Sequence, residues 1–158
     1  MTMSKIKAPI TMKQISNFTD LVRSVGENPQ YPVYHHFSPG VYVREFHMPA
    51  GFLVVGKKHK TRHLNILTKG ICEVWTPEGK YYLDATDKQC TFESLAGVKK
   101  VVYAKTDIIW MTVHVTNEGC LNNLEGDIID AEEQLDLFPE LDIIPINNDI
   151  QKELEEAL

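Results

Sequence analysis

Gly56-Lys-Lys-His-Lys-Thr-Arg-His-Leu-Asn-Ile-Leu-Thr-Lys-Gly70 decides how the rest of this chain is read. It sets His59 and His63 four residues apart and then runs through an apolar segment into a glycine. Imidazole is the commonest protein ligand for zinc, copper, iron and nickel, so two histidines this close are candidate ligands for a divalent metal. From His63 to Leu67 the pattern is that of a strand. His63, Asn65 and Leu67 then share one face, and Leu64 and Ile66 share the other.

Moving outward, period two governs everything from Val41 to Thr116. Val41–Met48 alternates, Pro49-Ala-Gly51 turns, and Phe52–Val55 is a short apolar strand. Beyond Gly70, strands are expected over 71–75, 80–85, 90–94, 98–104 and 108–116. Turn signals at Thr76-Pro-Glu-Gly79, Gly97 and Lys105-Thr-Asp107 separate them. Together with an extended segment over 31–37, this makes eight or nine short strands, the signature of an antiparallel sandwich or barrel. A three-residue turn at 105–107 predicts a hairpin in which Ala104 pairs with Ile108, Lys100 with Thr112 and Val98 with His114. Lys100, Trp110, Thr112 and His114 then share a face. If that face is the interior, His114 converges on His59 and His63, giving a three-histidine site with open positions.

The ends read differently. Ile15, Phe18, Leu21, Val22 and Val25 predict an amphipathic helix of about three turns, starting near Ser16 or Asn17 and stopped by Gly26. Leu124–Phe138 is expected to be helical, and Asn148–Leu158 a short capped helix. The net charge is −6, yet residues 125–158 carry twelve acidic side chains against Lys152 alone, so the first 124 residues sum to +5. No long basic run favours nucleic acid. No apolar run approaches the roughly 18 residues that span a bilayer, and no secretory leader is expected from Met1–Pro9. Cys72, Cys90 and Cys120 are odd in number and widely spaced, which fits a reducing interior and a cytoplasmic setting.

Gly51-(x5)-Lys57-x-His59-(x3)-His63-(x6)-Gly70 resembles the first motif of the cupin superfamily, Gly-(x5)-His-x-His-(x3–4)-Glu-(x6)-Gly. The spacings match, with Lys57 in place of a motif histidine and His63 in place of the glutamate. Leu95-Ala-Gly97-Val-Lys-Lys100-Val-Val-Tyr-Ala104 is similar to the second motif, Pro-x-Gly-(x2)-His-(x3)-Asn, with lysine at the histidine and alanine at the asparagine. Tyr42-Val-Arg-Glu-Phe46 and the His59–Asn65 segment also resemble small bacteriophage cupins. The resemblance implies an all-β fold, an antiparallel double-stranded β-helix or jelly-roll barrel, over 31–118. An N-terminal helical segment (1–30) would precede it, and a partly helical acidic extension (119–158) would follow. It also implies a homodimer.

For function, His59, His63 and His114 are the expected ligands of Fe, Mn, Ni or Zn. Lys57, Lys100, Asn65 and Glu45 are the residues expected to contact a small polar or anionic molecule, with Arg62 a further candidate cation. Glu45 is also a candidate fourth ligand or general base. No residue is assigned as catalytic. The alternative is a non-catalytic cupin binding or structural protein with a degenerate metal site. A metal-free isomerase using His59 or His63 as base is a third reading.

Overall fold

The computed structural model describes residues 2–7, 11–25, 29–116 and 141–157. Among these described residues, eleven strands and two helices follow in chain order. They are β1 (Thr2–Lys7), α1 (Met12–Ser24), β2 (Val33–Ser38), β3 (Val41–Met48), β4 (Phe52–Val55), β5 (His63–Lys69), β6 (Ile71–Thr76), β7 (Gly79–Asp84), β8 (Cys90–Ser94), β9 (Val101–Ala104), β10 (Ile108–Val115), β11 (Asp142–Pro145) and α2 (Asn148–Ala157). They form a six-stranded sheet ordered β1-β7-β6-β9-β4-β11 and a five-stranded sheet ordered β2-β3-β10-β5-β8. All pairings are antiparallel. This is the jelly-roll arrangement of the cupin fold.

The alternation read along the strands sorts side chains between the sheets. Phe46, Met48, Leu67, Ile108 and Trp110 from one sheet meet Val54, Val74, Leu83, Val102 and Ile143 from the other in a single core cluster. Cys72 and Cys90 lie buried in the same core, and the Cys90 thiol donates to Asp84 O at 3.3 Å. A second cluster covers the outer face of the six-stranded sheet. There Ile15, Phe18 and Val22 of α1 and Ile150 and Leu154 of α2 pack on Leu53, Val55, Trp75, Val101 and Ile144. Burying a side chain of this kind is worth about 1.5–3 kcal/mol, so the helices belong to the stability of the sheet beneath them.

Three expectations change here, and one is met. The first helix begins at Met12, not near Ser16, because Thr11 and Gln14 form a capping box. The Thr11 hydroxyl accepts from Gln14 N at 3.1 Å, and Gln14 Oε1 accepts from Thr11 N at 2.6 Å. Replacing Thr11 with alanine is expected to cost about 1 kcal/mol. In a chain of this size that lowers the thermal midpoint by roughly 2–4 °C, readable by circular dichroism.

Second, Val101–Ala104 and Ile108–Val115 are not a hairpin. β9 pairs with β4 and β6, whereas β10 pairs with β3 and β5 in the other sheet. The turn 105–107 is a corner between sheets, and polar contacts fix it. Thr106 Oγ1 accepts from Ile71 N (2.9 Å), Lys105 N donates to Ile71 O (2.9 Å), and Asp107 Oδ1 accepts from Ala50 N (2.9 Å). Lys100 and His114 thus meet across the barrel and not along a ladder.

Third, β1 and β11 add edge strands that alternation did not mark. Fourth, α2 is present with Asn147 Oδ1 accepting from Ile150 N at 2.9 Å, while the helix expected over 124–138 lies outside the described residues.

Candidate functional site

The barrel interior is built in tiers set by strand register. On β3 and β10 the inward pairs are Tyr42 with His114, Arg44 with Thr112, and Phe46 with Trp110. Across β10 and β5, Thr112 faces Asn65 and Trp110 faces Leu67. On β5 and β8, His63 faces Ser94. The interior therefore passes from a histidine tier through a polar tier to an apolar tier, with about 6.6 Å of strand between successive inward positions.

In the first tier three imidazole rings pack on one another. Ring centroids are 4.3 Å apart for His59 and His63, 4.9 Å for His59 and His114, and 4.8 Å for His63 and His114. All three residues are buried. His63 Nδ1 donates to Thr61 O at 3.4 Å, which leaves Nε2 as the lone-pair nitrogen. His114 Nε2 lies 2.9 Å from Thr112 Oγ1, and Tyr42 stacks on the His114 ring. Each ring keeps one buried nitrogen with no hydrogen-bond partner: His59 Nδ1, His63 Nε2 and His114 Nδ1. Burial disfavours the charged form of every one. It holds His63 down at about 4 and His114 at about 3, and His59 well below the ordinary histidine range, with the neighbouring imidazoles and Lys100 adding to the burial of His59 and His114. The three are neutral at pH 7.

A further chain of hydrogen bonds runs beside them. Lys100 Nζ and Asn65 Nδ2 both donate to Ser94 Oγ at 2.8 Å, and Trp110 Nε1 donates to Asn65 Oδ1 at 3.2 Å. Lys100 is buried, and desolvation pulls its ammonium down to about 8. Gly97 N donates to His59 O (2.9 Å) and Gly56 N to Lys100 O (2.9 Å), so the two segments that resemble cupin motifs are tied together by backbone. A cavity of about 90 Å³ opens on this region, with Arg44, Lys57, His59, Lys100 and Thr112 at its polar part and Phe46, Val54, Val102, Ile108 and Trp110 at its apolar part.

Of the residues singled out from sequence, His59, His63 and His114 come together. Lys57 and Lys100 line the cavity, and Asn65 stands behind it, anchoring Trp110 and Ser94. Two assignments are corrected. Glu45 points to the outer face of the five-stranded sheet, where its carboxylate takes His36 and His47, because odd positions on β3 face away from Tyr42, Arg44 and Phe46. Those two imidazoles hold the Glu45 carboxyl below its usual range. Arg62 is exposed and paired with Glu93. The adjacent histidines of β2 diverge as strand geometry requires, His35 to Tyr42 Oη and His36 to Glu45.

Arg44 and Ser94 were missed. A charged residue at an inward position between Tyr42 and Phe46 was the signal for Arg44, and Ser94 opposite His63 had none. Among the described residues, no group of three His, Cys, Asp or Glu side chains stands arranged to hold a metal ion. The donor chemistry fits a metal, since three neutral imidazoles each present an unpartnered nitrogen. His59 and His63 meet edge to face while His63 and His114 stack, so the rings as they stand pack against one another.

No protein-family model matches this chain, and no curated protein matches it. Solved structures do. An ectoine synthase from P. lautus superposes with a TM-score of 0.52 at 12% identity, over 77% of this chain and 83% of that one. A cupin superfamily protein from Desulfitobacterium hafniense gives 0.46 at 12% identity over 56% and 80%. A cupin domain from Bordetella pertussis gives 0.42 at 17% identity over 57% and 97%. The likeness is one of fold. Among the described residues no helix is long and apolar enough to cross a membrane.

Proposed function

We propose that this cupin-fold protein holds a divalent metal ion on His59, His63 and His114 and binds a small polar or anionic molecule in the cavity beside it. One observation carries the reading: three buried histidine nitrogens, grouped in one tier, lack hydrogen-bond partners. Leaving a buried polar atom unsatisfied costs about 1–3 kcal/mol, and three in one place ask for a common partner. His63 already donates its other nitrogen to a backbone carbonyl, as metal-ligating histidines do. A ligand set of imidazoles suits Fe, Mn, Ni or Zn. Such an ion would supply Lewis acidity toward an oxygen of the bound molecule. Arg44, Lys57 and Lys100 would hold that molecule's negative charge, and the sheets would exclude water around it.

The same reading includes a second copy of the chain, supported by Leu64 and Val115, exposed on the outer face of the five-stranded sheet. It also includes a cytoplasmic setting, supported by Cys72 and Cys90, which form no disulfide among the described residues. A bacteriophage origin rests on the residues quoted above alone. A second reading, a non-catalytic binding protein with a degenerate metal site, is favoured by the lysines at two motif positions.

Metal analysis after equilibration with each of the four ions, on the native protein and on His59→Ala and His114→Ala, tests the first reading. Stoichiometric retention by the native chain and loss in both variants is the expected result. At a hundredfold excess over the dissociation constant the ion adds about 2.7 kcal/mol, a rise of roughly 5–10 °C in midpoint. A protein that retains none of these ions, and whose midpoint ignores both metal and chelator, would sink it.

A further inference from the structure

We infer that the cavity is also a site of covalent chemistry, in which the Lys100 amine forms a reversible imine with an aldehyde whose apolar body lies against Phe46, Val102 and Trp110. The inference rests on the reading of this cavity as the functional site and does not involve the metal.

Sheet geometry aims the side chain. Lys100 stands just before β9, two residues from Val102 and four from Ala104, both of which lie in the inner core cluster. Val101 lies in the outer cluster instead. Side chains two apart share a face, so Lys100 enters the barrel on the same side as Val102. Its carbonyl accepts from Gly56 N at 2.9 Å, which holds the root of the side chain. Only 8% of the residue is exposed, yet it lines the cavity together with Phe46, Val54, Val102, Ile108 and Trp110.

Hydrogen bonds fix what meets the nitrogen. The Trp110 indole N–H can only donate, so the Asn65 amide oxygen faces it. Asn65 therefore turns Nδ2 to Ser94 Oγ and donates there at 2.8 Å. With one lone pair taken, Ser94 Oγ keeps a second lone pair and its own proton, 2.8 Å from Lys100 Nζ. It can accept from the ammonium and donate to the neutral amine, so it is placed to carry a proton there. Desolvation outweighs the through-space pull of Glu78 and brings the neutral amine into play near a pH of about 8. Lysines desolvated in apolar pockets are the ones that form Schiff bases with carbonyl compounds.

The step balances without a redox partner. The amine lone pair forms the C–N bond while the C=O π pair moves to oxygen. A proton passes from nitrogen to that oxygen through Ser94 Oγ, giving a neutral carbinolamine. The nitrogen lone pair then expels the oxygen, which takes a proton from solvent and leaves as water. The iminium that remains carries one positive charge, as the ammonium did. Only aldehydes and ketones lose their oxygen to an amine in this way, and an aldehyde offers the less crowded carbon to a buried nitrogen.

The test uses the full chain freed of metal by chelation, with 3-methylbutanal or acetaldehyde as probe. Cyanoborohydride reduces any iminium to a stable secondary amine, and peptide mass spectrometry reads the alkylation of each lysine. With 3-methylbutanal, Lys100 is expected to be alkylated faster than the exposed Lys88 and Lys152. Its preference for 3-methylbutanal over acetaldehyde is expected to exceed theirs by roughly tenfold or more, since one added methylene alone is worth about that much in an apolar pocket. Ser94→Ala is expected to slow alkylation of Lys100 several-fold and to leave Lys88 and Lys152 unchanged. The comparison of lysines within the native chain stands even if that variant does not fold. Alkylation of Lys100 no faster than that of Lys88 and Lys152, or an equal response of all three to the two aldehydes, would overturn the inference. Metal content is read separately. Preferential trapping on Lys100 without metal retention supports this inference and counts only against the metal site proposed above. Metal retention without preferential trapping does the reverse.

Discussion

A metal-free sample taken from pH 7 to pH 4 is expected to lose on the order of 5 kcal/mol of stability through His63 and His114 alone. In the unfolded chain these imidazoles take up protons near 6.5. In the folded chain burial holds His63 to about 4 and His114 to about 3. Between those values the unfolded state binds more protons, so stability is complete above about 6.5. It falls as pH drops through that value, and the fall levels off below about 3. His59, shifted in the same direction, steepens it. Since small domains have only about 5–15 kcal/mol in hand, acid unfolding should arrive before most carboxylates are protonated. Urea titrations at half-unit intervals of pH measure the slope. Exchanging His114 for phenylalanine, which fills the space without a titrating nitrogen, should flatten the limb between pH 6 and 4. A native protein of constant stability over that window would refute the assignment of three neutral, buried imidazoles.

Gly70→Ala is the second large effect. Gly70 has φ +91°, and an added Cβ would collide with the Asp107 carbonyl oxygen and approach Thr106 Oγ1 to 2.8 Å and Ile108 Cγ2 to 2.9 Å. Two of those three atoms are on the corner that carries the chain from one sheet to the other, so neither side can withdraw without opening it. A cost above about 3 kcal/mol is expected, equivalent to a midpoint lowered by roughly 6–12 °C or more. Gly51→Ala is the control. Gly51 has φ +86° with nothing within 4 Å of the added atom, so only the left-handed backbone term of about 1–2 kcal/mol applies. Equal losses in the two variants would show that conformation alone, and not the collision at the corner, makes Gly70 necessary.

Much of this architecture could be read from residues 41–116, because a half-buried strand writes its faces into alternate positions. His63, Asn65 and Leu67 on one face, and Trp110, Thr112 and His114 on another, follow from period two alone. Period two is silent about which strands become neighbours. Lys105-Thr-Asp107 has the composition of a hairpin turn, and only the bonds from Thr106 to Ile71 and from Asp107 to Ala50 turn it into a corner. The expected meeting of Lys100 with His114 thus rested on a pairing the protein does not make, and the two approach from opposite sheets. Glu45 was assigned by charge when its odd position on β3 already placed it outside. Arg44, at an even position, was legible by the same rule and was passed over.

Among the described residues, β11 lies at the edge of the six-stranded sheet and pairs with β4. The two strands are separated by nearly the whole barrel in sequence. During synthesis, β4 therefore leaves the ribosome long before Asp142–Pro145 exist to cover it. Among the described residues, it is β11 that covers the margin of β4 carrying Leu53 and Val54. A nascent or shortened chain would carry a ready template for pairing with another copy. Completion of the edge is thus a late event that closes the fold against its own aggregation.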